Sequence, residues 1–218
     1  MSYHVKICGL SEETTLRAAI DAGANMIGFV HFEKSPRHVS LARAAELKKL
    51  LPENVASVVV LVDADDALID DIVRIINPTY LQLHGSETPT RIAEIRAKYP
   101  AQKLIKALAV STKEELSAAA QYELLVDAFL FDAKPPTTNH QPITALPGGN
   151  GVAFDWKILH GFNTTRPWLL SGGLTLENVQ QAIRMSGAKM VDVSSGVESK
   201  ASVKDAGKIK AFIEAVHA

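Results

Sequence analysis

The chain has 218 residues, 47% of them hydrophobic and 22% charged, which is typical of a globular protein with a substantial core and excludes a disordered one. Lysine and arginine (23) nearly balance aspartate and glutamate (24) without a basic cluster, so we expect a small-molecule partner and no nucleic acid. A single cysteine excludes an internal disulfide, and no apolar run approaches the roughly 20 residues that cross a bilayer, which predicts a cytoplasmic protein outside the membrane.

Short runs rich in valine, isoleucine and leucine alternate with longer stretches of helical periodicity along the chain. The short runs predict strands at Val5–Cys8, Met26–Val30, Ser57–Val62, Tyr80–Leu83, Leu104–Leu108, Phe129–Phe131, Trp168–Leu170 and Met190–Val193. The stretches between them predict helices at Glu12–Ala22, Leu41–Leu51, Asp66–Ile76, Pro89–Tyr99, Lys113–Ala120, Leu176–Met185 and Val203–Val216, with a short turn near Asp155–His160.

About eight strand–helix repeats predict a single (β/α)8 barrel domain spanning residues 1–218. The segments AGANMIGFV and SGAKMVDVS repeat one pattern, in which Gly23 and Gly187 are predicted to end a helix in a left-handed conformation. A doubly wound open sheet is disfavoured because the turn after the first strand, CGLSEE, lacks the glycine-rich dinucleotide motif. Residues 133–153 are rich in proline and glycine and predict a long loop, either functional or a tolerated insertion.

Barrel enzymes carry their chemistry at the carboxyl ends of the strands, which directs attention to Cys8 and Asp132. A lone cysteine is more often a small buried apolar residue, but at a strand end its thiolate can act as a nucleophile or a general base. The period of two places Lys6 on the same side as Cys8, so Lys6 is expected to lower the thiol pKa. Asp132 ends an apolar strand, which favours a raised pKa and a general acid; the alternative is an ordinary loop or capping aspartate.

Further polar residues follow other strands. His84 can donate a hydrogen bond or carry a proton, or can serve only to bind a loop carbonyl. Arg37 can bind a carboxylate through two hydrogen bonds, or can be a solvated loop residue. Small-residue turns after the last two strands predict a phosphate site, and they contain Gly172, Gly173, Ser194, Ser195 and Gly196. The sequence shows no metal-ligand spacing, so no metal is predicted.

The motifs resemble those of the phosphoribosylanthranilate isomerase family of tryptophan biosynthesis. The matching segments run in family order over essentially the whole chain: KICGL at Lys6–Leu10, GFVHFEKSPRHVS at Gly28–Ser40, LQLHG at Leu81–Gly85, FDAK at Phe131–Lys134, FDW at Phe154–Trp156, LSGGLTLENV at Leu170–Val179 and VDVSSGVE at Val191–Glu198. KICG together with QLHG and VDVSSGVE is a highly specific combination.

The resemblance implies an Amadori rearrangement of N-(5'-phosphoribosyl)anthranilate to 1-(2-carboxyphenylamino)-1-deoxyribulose 5-phosphate, without a cofactor. It implies Asp132 as the acid that opens the sugar ring, Cys8 as the base that removes the C2 proton, and Arg37 as the ligand of the anthranilate carboxylate. His84 and Asp192 match family motif positions and are expected to contact substrate. A monomer and a homodimer are equally consistent with the sequence.

Two segments depart from the family pattern. GGNG at Gly148–Gly151 replaces a motif that generally has serine or threonine at its third place, and SKASVKD at Ser199–Asp205 lacks the usual Pro-Gly. Three other functions fit the sequence less well. An aminoimidazole-carboxamide ribonucleotide isomerase usually has a pair of aspartates, a sugar-phosphate epimerase typically needs metal ligands, and a non-catalytic barrel would have lost the acid or the base.

Overall fold

The computed structural model describes residues 3–133, 137–138, 141–142 and 155–218. Eight parallel strands close into a barrel in the spatial order β1-β8-β7-β6-β5-β4-β3-β2, which confirms the predicted fold. The strands are β1 (His4–Cys8), β2 (Met26–Val30), β3 (Ala56–Leu61), β4 (Tyr80–Leu83), β5 (Lys103–Val110), β6 (Ala128–Ala133), β7 (Trp168–Leu170) and β8 (Met190–Val193). Most of the predicted loop over 133–153 lies outside the described residues; within it, Thr137–Thr138 pairs with Gln141–Pro142.

Helices follow most of the strands. They are α1 (Glu13–Asp21), α2 (Leu41–Lys48), α3 (Asp66–Ile75), α4 (Pro89–Lys98), α5 (Lys113–Ser117), α6 (Val179–Ser186) and α7 (Ala206–His217). A 3-10 turn at Ala118–Gln121 continues α5, and a second at Trp156–Leu159 lies where a short turn was predicted. Gly23 and Gly187 both have the predicted left-handed conformation, with φ of 97° and 78°. Among the described residues, none of the helices has the length and apolar character needed to cross a membrane.

Two helices begin later than predicted. The helix expected from Val203 begins at Ala206, because Val203–Lys204 pairs as a strand with Glu198–Lys200. The Asp205 side chain then accepts the N–H of Lys208 and caps the helix. The helix expected from Leu176 begins at Val179, since the preceding residues form a turn in which the Asn178 side chain accepts the N–H of Thr175.

Alternation along the strands separates two layers of the molecule. In β1, Val5 and Ile7 pack outward against the helices, whereas Lys6 and Cys8 face the barrel interior on one side, as predicted. The amino-terminal part of the interior is filled by an apolar cluster: Met26, Val58, Ile105, Ala107, Ala128, Leu130 and Leu169. Toward the carboxyl ends, Cys8 packs with Val30 and Val60. The apolar cluster therefore fills the barrel beneath the side chains at the carboxyl ends of the strands.

Candidate active site

A cavity of about 760 Å³, part of it open to solvent, lies at the carboxyl ends of the strands. All predicted site residues except Gly196 line it, namely Cys8, Arg37, His84, Asp132, Gly172, Gly173, Asp192, Ser194 and Ser195. Gly196 lies in the 3-10 turn Ser195–Val197, where a Cβ would collide with the carbonyl oxygen of Leu174. Gly196 is therefore required for close packing of the loops after β7 and β8, whereas its neighbours face the cavity.

The Cys8 thiol lies at the cavity wall with 7% of the residue exposed. Burial raises the pKa of this thiol above its ordinary value, and the positive charges of Lys6 and Lys204, which act in the opposite direction, do not compensate. The effect of Lys6 on the thiol pKa thus has the predicted sign, but burial, which the sequence did not show, outweighs it. The sequence predicted the position of Cys8 at a strand end but not the extent of its burial.

Lys6 is held beneath the thiol by a buried carboxylate. Its Nζ lies 2.8 Å from Oδ1 of Asp192, whose Oδ2 accepts a hydrogen bond from the Ser171 hydroxyl at 3.0 Å. Although burial disfavours its charge, Asp192 and Cys8 raise the pKa of Lys6, so the ammonium remains charged at neutral pH. Asp192 lines the cavity, yet both of its oxygens are engaged by the barrel itself.

Replacing Lys6 with methionine is expected to raise the thiol pKa further, because the nearest positive charge is lost while Asp192 remains. Cys8 is the only cysteine, so the rate of iodoacetamide labelling against pH reports it alone. The double variant Lys6→Met/Asp192→Asn removes both charges and is expected to give a smaller upward shift, since the Asp192 charge itself raises the thiol pKa. Labelling curves that coincide with wild type in the single variant would contradict this electrostatic coupling.

Space for the thiol depends on a glycine in the neighbouring strand. Gly28 pairs with Cys8, and a Cβ at Gly28 would lie 2.8 Å from Sγ and 3.1 Å from Cα of Cys8. Since both an end atom and the backbone are in the way, an added methyl group must displace the thiol. A glycine within the apolar run MIGFV was the available sequence signal, because glycine in a strand often marks a close approach.

Gly28→Ala is expected to lower kcat/KM by about 10²-fold, because a reacting group displaced by about 1 Å loses its productive alignment. The matched control is Gly207→Ala in the first turn of α7, where the new Cβ would lie 3.2 Å from a side-chain oxygen of Asp205. We expect this control to retain activity within about twofold. Steady-state kinetics of the two variants check the prediction, and equal activities would refute it.

Asp132 and His84 form a second polar group on the cavity wall. Asp132 is the next-to-last residue of β6 and is 6% exposed, and its Oδ2 lies 3.4 Å from Nε2 of His84. The side-chain amide of Gln82 lies 2.8 Å from the other ring nitrogen, Nδ1. With the amide nitrogen donating to Nδ1, the imidazole carries its proton on Nε2, facing the Asp132 carboxyl. His84 is thus placed to orient Asp132.

A buried ion pair holds the loop that carries His84. Lys106, in β5, lies with Nζ 2.7 Å from Oε2 of Glu87 and donates to the carbonyl oxygen of Gly85 at 2.7 Å. Glu87 in turn accepts the N–H of Asp63 at 3.0 Å, which links the loops after β3 and β4. Neither Lys106 nor Glu87 was predicted to have a role from the sequence. The available signal was a lysine between apolar residues in KLIKALAV, a setting in which a charge needs a partner.

Arg37 reaches the cavity across the first strand and is bound by a residue that the sequence analysis did not assign. Its Nε and Nη2 donate to Oε1 and Oε2 of Glu198 at 2.7 and 3.0 Å. The side chain passes over Gly9, where a Cβ would lie 2.9 Å from its Cδ. Despite its burial, Glu198 has a pKa lowered to about 2 by hydrogen bonds from Arg37 and Lys204, so it is an anion at neutral pH. The only sequence signal for Glu198 was its place as the last residue of the motif VDVSSGVE.

Comparison with known proteins identifies the family. Residues 5–215 match the family model described as N-(5'-phosphoribosyl)anthranilate (PRA) isomerase. The chain belongs to this family. Relatives in the PRA isomerase family include the N-(5'-phosphoribosyl)anthranilate isomerases of Parvibaculum lavamentivorans, 49% identical over 99% of this chain and 98% of the relative, and of Paracoccus denitrificans, 49% identical over 98% and 96%.

Solved structures of PRA isomerases share the fold over their full lengths. The enzyme from Thermotoga maritima has a TM-score of 0.84 and 32% identity, covering 100% of this chain and 99% of that one. A further crystal structure, of a phosphoribosyl anthranilate isomerase in complex with reduced 1-(o-carboxyphenylamino)-1-deoxyribulose 5-phosphate, has a TM-score of 0.83 and 31% identity over 100% and 99%. The ligand of that protein combines a phosphate with an aromatic carboxylate.

Proposed function

We propose that this chain converts N-(5'-phosphoribosyl)anthranilate to 1-(2-carboxyphenylamino)-1-deoxyribulose 5-phosphate in tryptophan biosynthesis, with Asp132 as general acid and Cys8 as general base. The observation that carries this assignment is that both side chains face one cavity from separate sides of the barrel. Cys8 is the last residue of β1 and Asp132 the next-to-last of β6, with β8 and β7 between these two strands. A sugar held between them presents its ring oxygen to one group and its C2 proton to the other.

The proton transfers balance without a cofactor. Asp132 donates a proton to the furanose oxygen as the C1–O bond breaks, which leaves a protonated Schiff base at C1. The Cys8 thiolate then takes the C2 proton, and the resulting electron pair forms the enolamine. As the enolamine becomes the ketone, the Asp132 carboxylate takes up the proton of the enol hydroxyl and the Cys8 thiol gives a proton to C1, which returns the acid and the base to their starting states. Water is limited at both groups because each is more than nine-tenths buried.

Substrate contacts follow from the charges around the cavity. We assign the anthranilate carboxylate to Arg37, whose side chain lines the cavity. The phosphate is assigned to the turns after β7 and β8, where Gly172, Gly173, Ser194 and Ser195 line the cavity, with Gly196 behind them. His84 contributes by orienting Asp132, and Asp192 by holding Lys6. The ligand bound by the related isomerase carries the two anionic groups that such a site would bind.

We also propose a single-domain, cytoplasmic enzyme that acts as a monomer or a homodimer. One cysteine supports an intracellular location, because small secreted proteins commonly depend on disulfides. The related isomerase of Thermotoga maritima is described as dimeric. Sedimentation of the purified chain distinguishes the two assemblies by mass.

The test of the activity is the decay of substrate fluorescence when purified protein is mixed with freshly prepared phosphoribosylanthranilate. The expected result is an enzyme-dependent decay that is unaffected by a metal chelator and needs no added cofactor. Product formation is confirmed by borodeuteride reduction followed by NMR, because deuterium enters at C2 of the ketone product but at C1 of any remaining substrate. A wild-type protein that is folded by circular dichroism and leaves the fluorescence unchanged would contradict the proposed function.

A further inference from the structure

A short hairpin after β8 is built around the carboxylate that binds Arg37. The hairpin pairs Glu198–Lys200 with Val203–Lys204. Besides Arg37, the Glu198 carboxylate accepts a hydrogen bond from Lys204 Nζ at 2.8 Å and from the N–H of Ser202 at 3.0 Å. Only 8% of Glu198 and 8% of Lys204 is exposed. A carboxylate with four donors in a buried setting has one orientation, and it imposes that orientation on the groups it binds.

The contact leaves one edge of the Arg37 guanidinium for another anion. A guanidinium has five N–H donors and can bind a carboxylate along the Nε/Nη2 edge or along the Nη1/Nη2 edge. Glu198 takes the first edge. Among the described residues, no recorded hydrogen bond or ion pair occupies Nη1, and Arg37 lines the cavity. Binding on one edge therefore fixes the direction of the other.

The charge count at this cluster is unequal. Arg37 and Lys204 are both bound to the single carboxylate of Glu198. Burial lowers the pKa of Lys204 but its contact with Glu198 favours the charged form, so at neutral pH two cationic side chains meet one anion. If Glu198 were the only charged group bound to Arg37, its negative charge would cancel the positive charge of Arg37. Lys204 shares that carboxylate and also donates to the carbonyl and the hydroxyl of Ser194 at 2.8 and 3.1 Å, so the extra charge is anchored to the loop after β8. The cluster keeps a net positive charge beside the cavity.

We propose that Glu198 and Lys204 are positioning residues that make the site selective for a substrate with an aromatic carboxylate. Glu198 aims the Nη1/Nη2 edge of Arg37 at that carboxylate, and Lys204 offsets the Glu198 charge so that Arg37 still attracts an anion. This inference rests on the proposed function. It adds two residues, Glu198 and Lys204, that determine specificity from behind Arg37 without contacting the substrate.

The test compares two ligands in binding experiments. One is reduced 1-(o-carboxyphenylamino)-1-deoxyribulose 5-phosphate, and the other is the same compound without the carboxylate. Calorimetric Kd values are measured for wild type, Glu198→Gln and Lys204→Met. We expect Glu198→Gln to raise the Kd of the carboxylated ligand by about tenfold or more, because Arg37 loses its orientation. The Kd of the ligand without the carboxylate is expected to rise by less than about threefold. Lys204→Met is expected to show the same selective loss, and Lys204→Arg to restore binding.

The matched control is Lys200→Met, which removes an exposed lysine from the same hairpin and is expected to leave both Kd values unchanged. Equal weakening of both ligands by Glu198→Gln, or no weakening, would overturn the inference. If Glu198→Gln is unfolded by circular dichroism, Lys204→Met and Glu198→Asp decide by the same selective loss.

The two levels of the proposal fail in different ways. If wild type binds both ligands with equal Kd values but still isomerises phosphoribosylanthranilate, the proposed carboxylate selectivity is overturned and the proposed activity is not. A wild type that binds neither ligand and leaves phosphoribosylanthranilate unchanged overturns the proposed function together with this inference.

Discussion

Replacing Cys8 by alanine is expected to lower kcat/KM for phosphoribosylanthranilate by about 10³-fold, because it removes the group proposed as the general base for the C2 proton. Serine at this position should be nearly as inactive, since its hydroxyl is a much poorer base source at neutral pH. The loss should lie in kcat, whereas the Kd for the reduced product analogue should change little. Since burial raises the thiol pKa, wild-type kcat/KM should also rise with pH into the alkaline range as the thiolate forms.

The control for this substitution is Ile7→Val, one residue earlier in the same strand. Ile7 is fully buried but packs outward against the helices, so the substitution perturbs the strand without altering the cavity wall. We expect activity within about threefold of wild type and a destabilisation of about 1 kcal/mol. A Cys8→Ala enzyme that retained activity similar to this control would eliminate the thiol as the base.

Asp132→Asn is expected to lower kcat by about 10²-fold to 10³-fold, because an amide cannot deliver the proton that accompanies opening of the sugar ring. The amide is nearly the same size as the carboxyl group, so packing against His84 is largely preserved. Binding of the reduced product analogue, whose ring is already open, should therefore remain within a few-fold of wild type. Rapid-mixing experiments with the substrate should show the slow step before enolamine formation.

Asp71→Asn makes the same chemical change on the exposed face of α3, where the carboxylate pairs with Arg74. A surface ion pair contributes about 1 kcal/mol or less, so this variant should match wild type in both kcat and stability. A loss of less than about fivefold in Asp132→Asn would contradict its role as the acid. If Asp132→Asn lowered the binding affinity and kcat by equal factors, Asp132 would instead be a binding residue.

Most of the scaffold could be predicted from local patterns. The strands β1 to β8 and the turns between them are encoded by residues close together in the sequence. Alternation along one strand is enough to place Lys6 and Cys8 on the same side. The barrel class follows from repetition, and the site follows from the rule that parallel strands bring their carboxyl ends together. The least predictable boundary was at Val203, where pairing with Glu198–Lys200 replaced a helical turn.

The sequence by itself determined the barrel, the end of the barrel that carries the cavity, and the identity of the cavity-lining side chains at Cys8, Asp132 and Arg37. Only the tertiary structure decided how those side chains are charged and aimed. Lys6 meets Asp192 across 186 residues and Arg37 meets Glu198 across 161, and such contacts arise only when the barrel closes and sets the strand register. The thiol pKa likewise depends on burial, which no local pattern measures. Chemistry at the strand ends is therefore readable from the chain, whereas its electrostatic tuning depends on groups brought together by closure of the sheet.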